Sequence, residues 1–386
     1  MLAAENRALT QVLTPSPVYS IWKLRPPKPR GRKYNPDVGT GEVRIGTSGW
    51  NYPSGPGTWN GNFYPAAPKG GRRGRFDALA FYAEHFDTVE VNSTFYRLPD
   101  PAVTRTWAAR TPSSFDFSVK LFQKFTHPGM FKRAHAPGVP HDDDSSVIPA
   151  VSRADVDAFR TAIDPLAAAG KLGALLAQFP PSFRASDDAR EYLEWLLQSF
   201  KGFPVAVELR HKSWSDQTGG TLALLNEFGA AWAQIDEPKF RFSIRQNQLP
   251  NLRSLYYMRL HGRNADTWWT HTHPDERYNY LYTPEELDTF TETVNTVRKL
   301  VHRIYVYMNN HFAGKAVANA ATLRHRLGQS VPGEYSDEMI AHYPFLASCV
   351  SWARSGSLFA GDGGEKGAAA GGTDMSDAED AEPQEG

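Results

Sequence analysis

Eight short apolar segments run along the chain, and each closes on polar or charged residues at alternate positions. The clearest are Thr88-Val-Glu-Val-Asn92, Val205-Ala-Val-Glu-Leu-Arg210, Tyr257-Met-Arg-Leu-His261 and Tyr305-Val-Tyr-Met-Asn309. Side chains of a strand alternate between its two faces, so Glu90 and Asn92 share a face, as do Glu208 and Arg210, and Arg259 and His261. The pattern predicts strands at Glu42–Ser48, Thr88–Asn92, Phe115–Lys120, Ala174–Phe179, Val205–Arg210, Ala231–Asp236, Leu255–His261 and Arg303–Asn309. Helical stretches at Phe76–His85, Ala102–Arg110, Ser152–Ala169, Ser186–Phe200, Gly219–Phe228, Pro284–Leu300 and Gly314–Leu327 separate most of them or close the series. Eight strands alternating with helices predict an α/β fold, a single (β/α)8 TIM-like barrel. The alternative is an open doubly wound sheet. The count of eight weighs against it, as does the lack of a dinucleotide-type Gly-rich turn after the first strand.

Composition sets the boundaries of that domain. Residues 1–40 form a Pro-rich leader with a basic run, KLRPPKPRGRK at Lys23–Lys33, and residues 361–386 form a Gly/Ala-rich tail that ends acidic. Neither end has the apolar residues needed to offset ordering entropy, so both are expected to be disordered. The barrel is placed at 41–350, with an insertion near 129–150. Lys plus Arg and Asp plus Glu number 42 each, so the chain as a whole has no excess that seeks polyanions. Cys349 is the single cysteine, which excludes an intrachain disulfide and a multi-cysteine metal site. No stretch resembles a membrane span or a secretory signal, and a cytoplasmic location is the expectation.

Parallel strands covered by helices on both faces usually read as continuous apolar runs, so charged strand ends need a reason. In a barrel, sites form at the carboxyl ends of the strands. The side chains expected to point inward there are Ser48, Glu90, Asn92, Lys120, Gln178, Glu208, Arg210, Asp236, Arg259, His261 and Asn309, with Gly46, Ser118, Gln234 and Tyr307 below them. Glu90, Glu208 and Asp236 balance Lys120, Arg210 and Arg259, so a mutually paired network is feasible. Glu90 with Lys120 as an ion pair that fixes strand register is the competing structural hypothesis. Glu90 and Glu208 are candidate general acid and base, with His261 as a proton carrier. The three cations suit a carboxylate or phosphate on a substrate. The same carboxylates with His261 are adequate metal ligands, but the interleaved cations oppose a divalent ion, and no metal or cofactor is expected. Trp50, Tyr52, Trp59, Phe63, Tyr64, Trp214, Trp268 and Trp269 cluster near the mouth, either to stack on sugars or bases or to cap the barrel.

At these residues the chain resembles the YecE-like family, domain of unknown function 72. The resemblance rests on IGTSGWNY (45–52), FYP (63–65), TVEVNSTFYRLP (88–99), FDFSVK (115–120), Thr126-His127, LAQFPPSF (176–183), VELRHKSW (207–214), RLHGRN (259–264), RYNYLYTPEEL (277–287) and VYMNNHFAGKAVANA (306–320). It implies a TIM-like barrel and brings no agreed activity. The leader, the insertion and the tail depart from the compact family pattern.

The leading expectation is a metal-independent hydrolase or lyase acting on an anionic or polyhydroxylated small substrate. Glu90, Glu208 and His261 would carry the chemistry. Ser48, Trp50, Asn92, Lys120, Gln178, Arg210, Asp236, Arg259 and Asn309 would bind. Two alternatives stand beside it. One is a metal-dependent phosphodiesterase or nucleic-acid enzyme, suggested by fold analogy and by the local basic patch Arg72, Arg73 and Arg75. The other is a non-catalytic ligand-binding module.

Overall fold

The computed structural model describes residues 40–66, 76–135, 148–270 and 272–352. The leader, Arg72, Arg73, Arg75, most of the expected insertion, His271 and the acidic tail lie outside the described residues. Besides a two-stranded parallel pair, Glu334–Tyr335 with Ser351–Trp352, the strands within them are β1 (Glu42–Thr47), β2 (Thr88–Val91), β3 (Asp116–Lys120), β4 (Leu172–Gln178), β5 (Val205–Glu208), β6 (Ala231–Trp232), β7 (Gln234–Asp236), β8 (Tyr256–Leu260) and β9 (Arg303–Met308). They form two parallel sheets, a five-stranded one in the order β2-β3-β4-β5-β6 and a four-stranded one in the order β1-β9-β8-β7.

The edges of the sheets meet at two places. Ser48 bridges Glu90 just past the end of β1, and the amide of Gly49 donates to the Glu90 carbonyl at 2.7 Å. A Cβ at Gly46 would stand 2.2 Å from the Thr88 carbonyl oxygen, so only glycine admits this approach of β1 to β2. At the other edge, Ala233 alone separates β6 from β7, and its amide still donates to the Val207 carbonyl at 2.9 Å.

Helices connect most strands, as the apolar spacing predicts. Arg153–Ala168 buries Val156, Phe159, Ile163 and Leu166 along one stripe, and Ser152 opens it with a capping box. Thr283 opens Pro284–Val297 with a capping box too, and Ser186 caps Asp187–Ser199 through its hydroxyl oxygen alone. A further short helix, Pro128–His135, begins where a long loop was expected.

Each strand buries both faces. Leu175, Ala177, Val207, Ile304 and Val306 join the large core shared with the helices. Alternate positions, Ala174, Leu176, Ala206, Ala231, Ala233, Tyr257, Tyr305 and Tyr307, form a second, separate cluster. Small residues on β4 to β6 leave room for three tyrosines from β8 and β9. Gly173 is part of this fit, because a Cβ there would lie 2.7 Å from the Tyr305 hydroxyl.

Candidate active site at the carboxyl ends of the strands

The tyrosines give the second cluster polar tips, and these carry the chain from apolar packing to a charged layer. Tyr307 donates to Ser118 Oγ at 2.8 Å, and Tyr257 donates to Glu90 Oε2 at 2.6 Å. Glu90 also accepts from Ser48 Oγ at 2.8 Å, and from Arg259 through Nη2 at 2.7 Å and Nε at 2.9 Å. The same guanidinium extends Nη1 to Glu208 Oε2 at 2.6 Å and to Gln178 Oε1 at 2.9 Å. Arg210 Nε completes the pair at Glu208 Oε1, 2.7 Å away. Arg259, Glu90 and Glu208 are at most 1% exposed, so one buried arginine bridges two buried carboxylates.

Burial alone would raise the Glu208 carboxyl. Arg259 and Arg210 overcome it and hold Glu208 well below the usual carboxylate range, as an anion. His261 Nε2 faces both Arg210 Nη2 at 3.3 Å and Arg259 Nη1 at 3.4 Å. On the other side of the ring, Asn309 Nδ2 donates to His261 Nδ1 at 2.8 Å. Burial first, then Arg259, pushes the imidazole down to about 3. The 3.5 Å approach of His261 to Glu208 is therefore not an ion pair.

Lys120 differs from its neighbours. Its ammonium nitrogen has no carboxylate within ion-pair distance among the described residues and sits 3.9 Å above the centre of the Phe95 ring. The competing Glu90–Lys120 ion pair is not formed, because Arg259 and Tyr257 occupy that carboxylate. Burial, then the charge of Arg259, lowers Lys120 to about 7. The attraction of the ring, about 0.5–2 kcal/mol, does not offset these effects. His127 packs edge-on against the same ring, with centroids 4.9 Å apart, and its Nδ1 is 2.8 Å from Thr126 Oγ1. Burial and the charge of Lys120 hold it well below the ordinary histidine range, and so neutral.

Asn92, Gln178 and Arg210 are half-buried and form a rim above this layer, while Lys120 is 9% exposed. Asp236 is placed elsewhere. Its carboxylate accepts from Arg263 at 2.8 and 2.9 Å and from the Tyr282 hydroxyl at 2.8 Å. Ala231 and Ala233 join the second cluster, so Gln234 and Asp236 occupy the alternate positions of the sixth strand segment. Glu237 instead approaches Arg210, at 3.5 Å.

The aromatic residues divide. Trp59, Phe63, Tyr64, Trp214 and Trp268 are buried, whereas Trp50 and Tyr52 are half-buried and Trp269 is 58% exposed. Two cavities, of about 350 and 370 Å³, lie away from the charged layer, one against Phe76 and Arg110 and one beside Asp236 and Phe240. Among the described residues, no three His, Cys, Asp or Glu side chains gather as a metal site, and no helix is long and apolar enough to cross a membrane.

The profile of the family described as "Protein of unknown function DUF72" matches residues 44–339. The chain belongs to this family. UPF0759 protein YunF of Bacillus subtilis (strain 168) is 27% identical over 292 residues, 72% of this chain and 92% of that protein. UPF0759 protein YecE of Escherichia coli (strain K12) is 32% identical over 135 residues, 35% of this chain and 42% of that protein. A solved DUF72 protein from Thermotoga maritima MSB8 is 31% identical with a TM-score of 0.59, covering 74% of this chain and 99% of its own. One from Enterococcus faecalis V583 has a TM-score of 0.61 at 23% identity, covering 75% and 96%, a likeness of fold alone. These names state no activity.

Three groups at this candidate site were not singled out from the sequence. Tyr257 reads as an ordinary strand-forming aromatic, Glu237 falls one residue beyond the expected strand, and His127 follows a short 3-10 turn (Gln123–Phe125) rather than ending a strand. The Thr126-His127 pair within the family resemblance was the one available signal for the last.

Proposed function

We propose that the two sheets act as one closed (β/α)8 barrel whose carboxyl-end mouth is the active site of a metal-independent hydrolase or lyase. The substrate is an anionic or polyhydroxylated small molecule. The Ser48–Glu90 bridge and the continuity of β6 with β7 through Ala233 support closure. One observation carries the chemistry: Lys120 is a strand-end amine with no carboxylate partner among the described residues, set above a layer in which Glu90 and Glu208 are already taken.

With a proton affinity near neutrality, Lys120 exchanges a proton at working pH, which suits a general base. Glu90, Glu208 and His261 are locked by Arg259, Arg210 and Asn309. Their role is to set the field and fix the floor rather than to move protons. Arg210 offers a permanent cation at the rim for an anionic group, and Asn92, Gln178 and Asn309 offer hydrogen bonds to hydroxyls. Trp50 packs edge-on against Trp107 and Phe117 on the helix side of the sheet. A divalent ion at Glu90 or Glu208 would have to displace Arg259 from both, which supports chemistry without a metal.

Thermal-shift screening against sugar acids, sugar phosphates and neutral polyols tests the proposal, followed by mass-spectrometric turnover of any hit. A ligand of these classes should stabilise the wild type, lose that effect in Arg210→Gln, and be consumed by the wild type but not by Lys120→Met. Stabilisation only by polynucleotide or by Zn²⁺ or Mn²⁺ would sink it.

A further inference from the structure

We propose that Lys120 is a covalent catalyst that condenses with an aldehyde or ketone carbonyl of the substrate to form an imine. This deepens the assignment of the strand-end mouth as a small-molecule site and rests on it, and it names the substrate class as an oxo acid or a hydroxylated carbonyl compound.

The placement of charge is the first ground. A residue meant only to hold an anion should keep its charge, and arginine does so in any surroundings. Here the chain supplies arginine at two positions, Arg210 and Arg259, and each carboxylate in reach is bonded to them. The remaining cation is a lysine, set where those guanidinium groups repel its proton and nearly closed off from water. A desolvated primary amine beside other cations is an activated nucleophile.

The second ground is the neighbour. Lys120 and His127 lie against one Phe95 ring, the amine 3.9 Å from its centre and the imidazole edge-on with centroids 4.9 Å apart. With Nδ1 engaged by Thr126, the imidazole of His127 has Nε2 without a protein partner among the described residues. The amine lone pair attacks the carbonyl carbon, a C–N bond forms, and the carbonyl oxygen takes up the amine proton to give a carbinolamine. That hydroxyl then leaves as water, with a proton relayed through neutral His127, and a C=N bond remains. No oxidant or reductant is consumed. Arg210 and Gln178 are left to hold the substrate's carboxylate or hydroxyls.

Borohydride trapping tests this. The full-length protein is incubated at pH 7 with pyruvate, and separately with dihydroxyacetone, in the presence of sodium cyanoborohydride, then mapped by peptide mass spectrometry. At that pH the free-amine fraction of Lys120 is about a thousandfold that of an ordinary lysine. One reduced adduct should therefore form at Lys120, ahead of exposed lysines such as Lys201. Lys120→Arg and Lys120→Met should abolish it, and His127→Gln should slow its formation while leaving Lys120 in place. Should the Lys120 variants fail to fold, the pH profile of wild-type labelling takes their place, with an inflection near 7 expected and one near 10 overturning the proposal. Adducts spread over exposed lysines with Lys120 unmodified would also overturn it. If thermal-shift ligands bind in that case, the small-molecule site stands and only the imine falls. If none bind, both fall.

Discussion

The two ends of the strands carry charge networks built on opposite terms. At the amino end, Glu42 and Asp116 meet Arg44 and Arg303, with Arg44 Nε and Arg303 Nη1 each 3.2 Å from Asp116 and Tyr305 donating to it at 2.9 Å. Its outer members, Glu42 and Arg303, are 47% and 40% exposed. Two acids meet two bases, nothing is left over, and water shares the load. At the carboxyl end, Glu90 and Glu208 are saturated by Arg259, Arg210, Ser48 and Tyr257 in nearly complete burial, and Lys120 has no carboxylate within ion-pair distance among the described residues. A buried ion-pair network by itself therefore marks register and stability. The unmatched group is what distinguishes a candidate site.

Five measurements break or sharpen this contrast. The largest effect belongs to Arg259→Met, which strands two buried carboxylates and should lower stability in urea unfolding by about 3–5 kcal/mol. Arg44→Met at the amino end should cost less, because Arg303 still serves Asp116; equal losses would erase the distinction between the ends. Next is the pH dependence of Lys120. In the unfolded chain this amine holds its proton to about pH 10.4, whereas in the fold it holds it only to about 7. Between those values folding releases a proton, so stability gains with pH by about 1 kcal/mol per unit from pH 7 to 9. The gain should appear as a difference between wild type and Lys120→Met, and parallel pH curves for the two would contradict the lowered affinity. Ser48→Ala removes one of several donors to Glu90 and should cost about 1–2 kcal/mol by thermal unfolding. The smallest change is Arg303→Gln, where water already screens the pair, at about 0–1 kcal/mol. A larger value would show the amino end to be as tightly built as the carboxyl end.

Alternation made much of this legible. The position of Glu90, Lys120, Gln178, Glu208, Arg259 and His261 at strand ends follows from period two, because a face shift of one residue would bury nothing coherent. The sixth strand broke the rule's application. Gln234 and Asp236 are polar and spaced by two, yet small Ala231 and Ala233 take the inner positions opposite the tyrosines, and the ladder is interrupted at Ala233. Pairing was less legible than placement. Charge balance is a property of the set, and which carboxylate an arginine takes depends on reach. Arg259 spans from β8 to both Glu90 and Glu208, which no spacing in the chain encodes. Aromatic loops were undecidable for a related reason, since Trp59 and Trp269 carry the same side chain and only packing separates them.

The seam between β1 and β2 has a consequence for motion. β1 is joined to β9 through six paired positions but to β2 through a single bridge, at Ser48 and Glu90. Glu90 belongs to that bridge by its backbone and to Arg259 by its side chain, so opening at the seam would also disturb the charged floor. The amide of Gly49, bonded across the seam to Glu90, is where hydrogen exchange would register that movement first, and a ligand resting on Lys120 and Arg210 would slow it without touching the glycine.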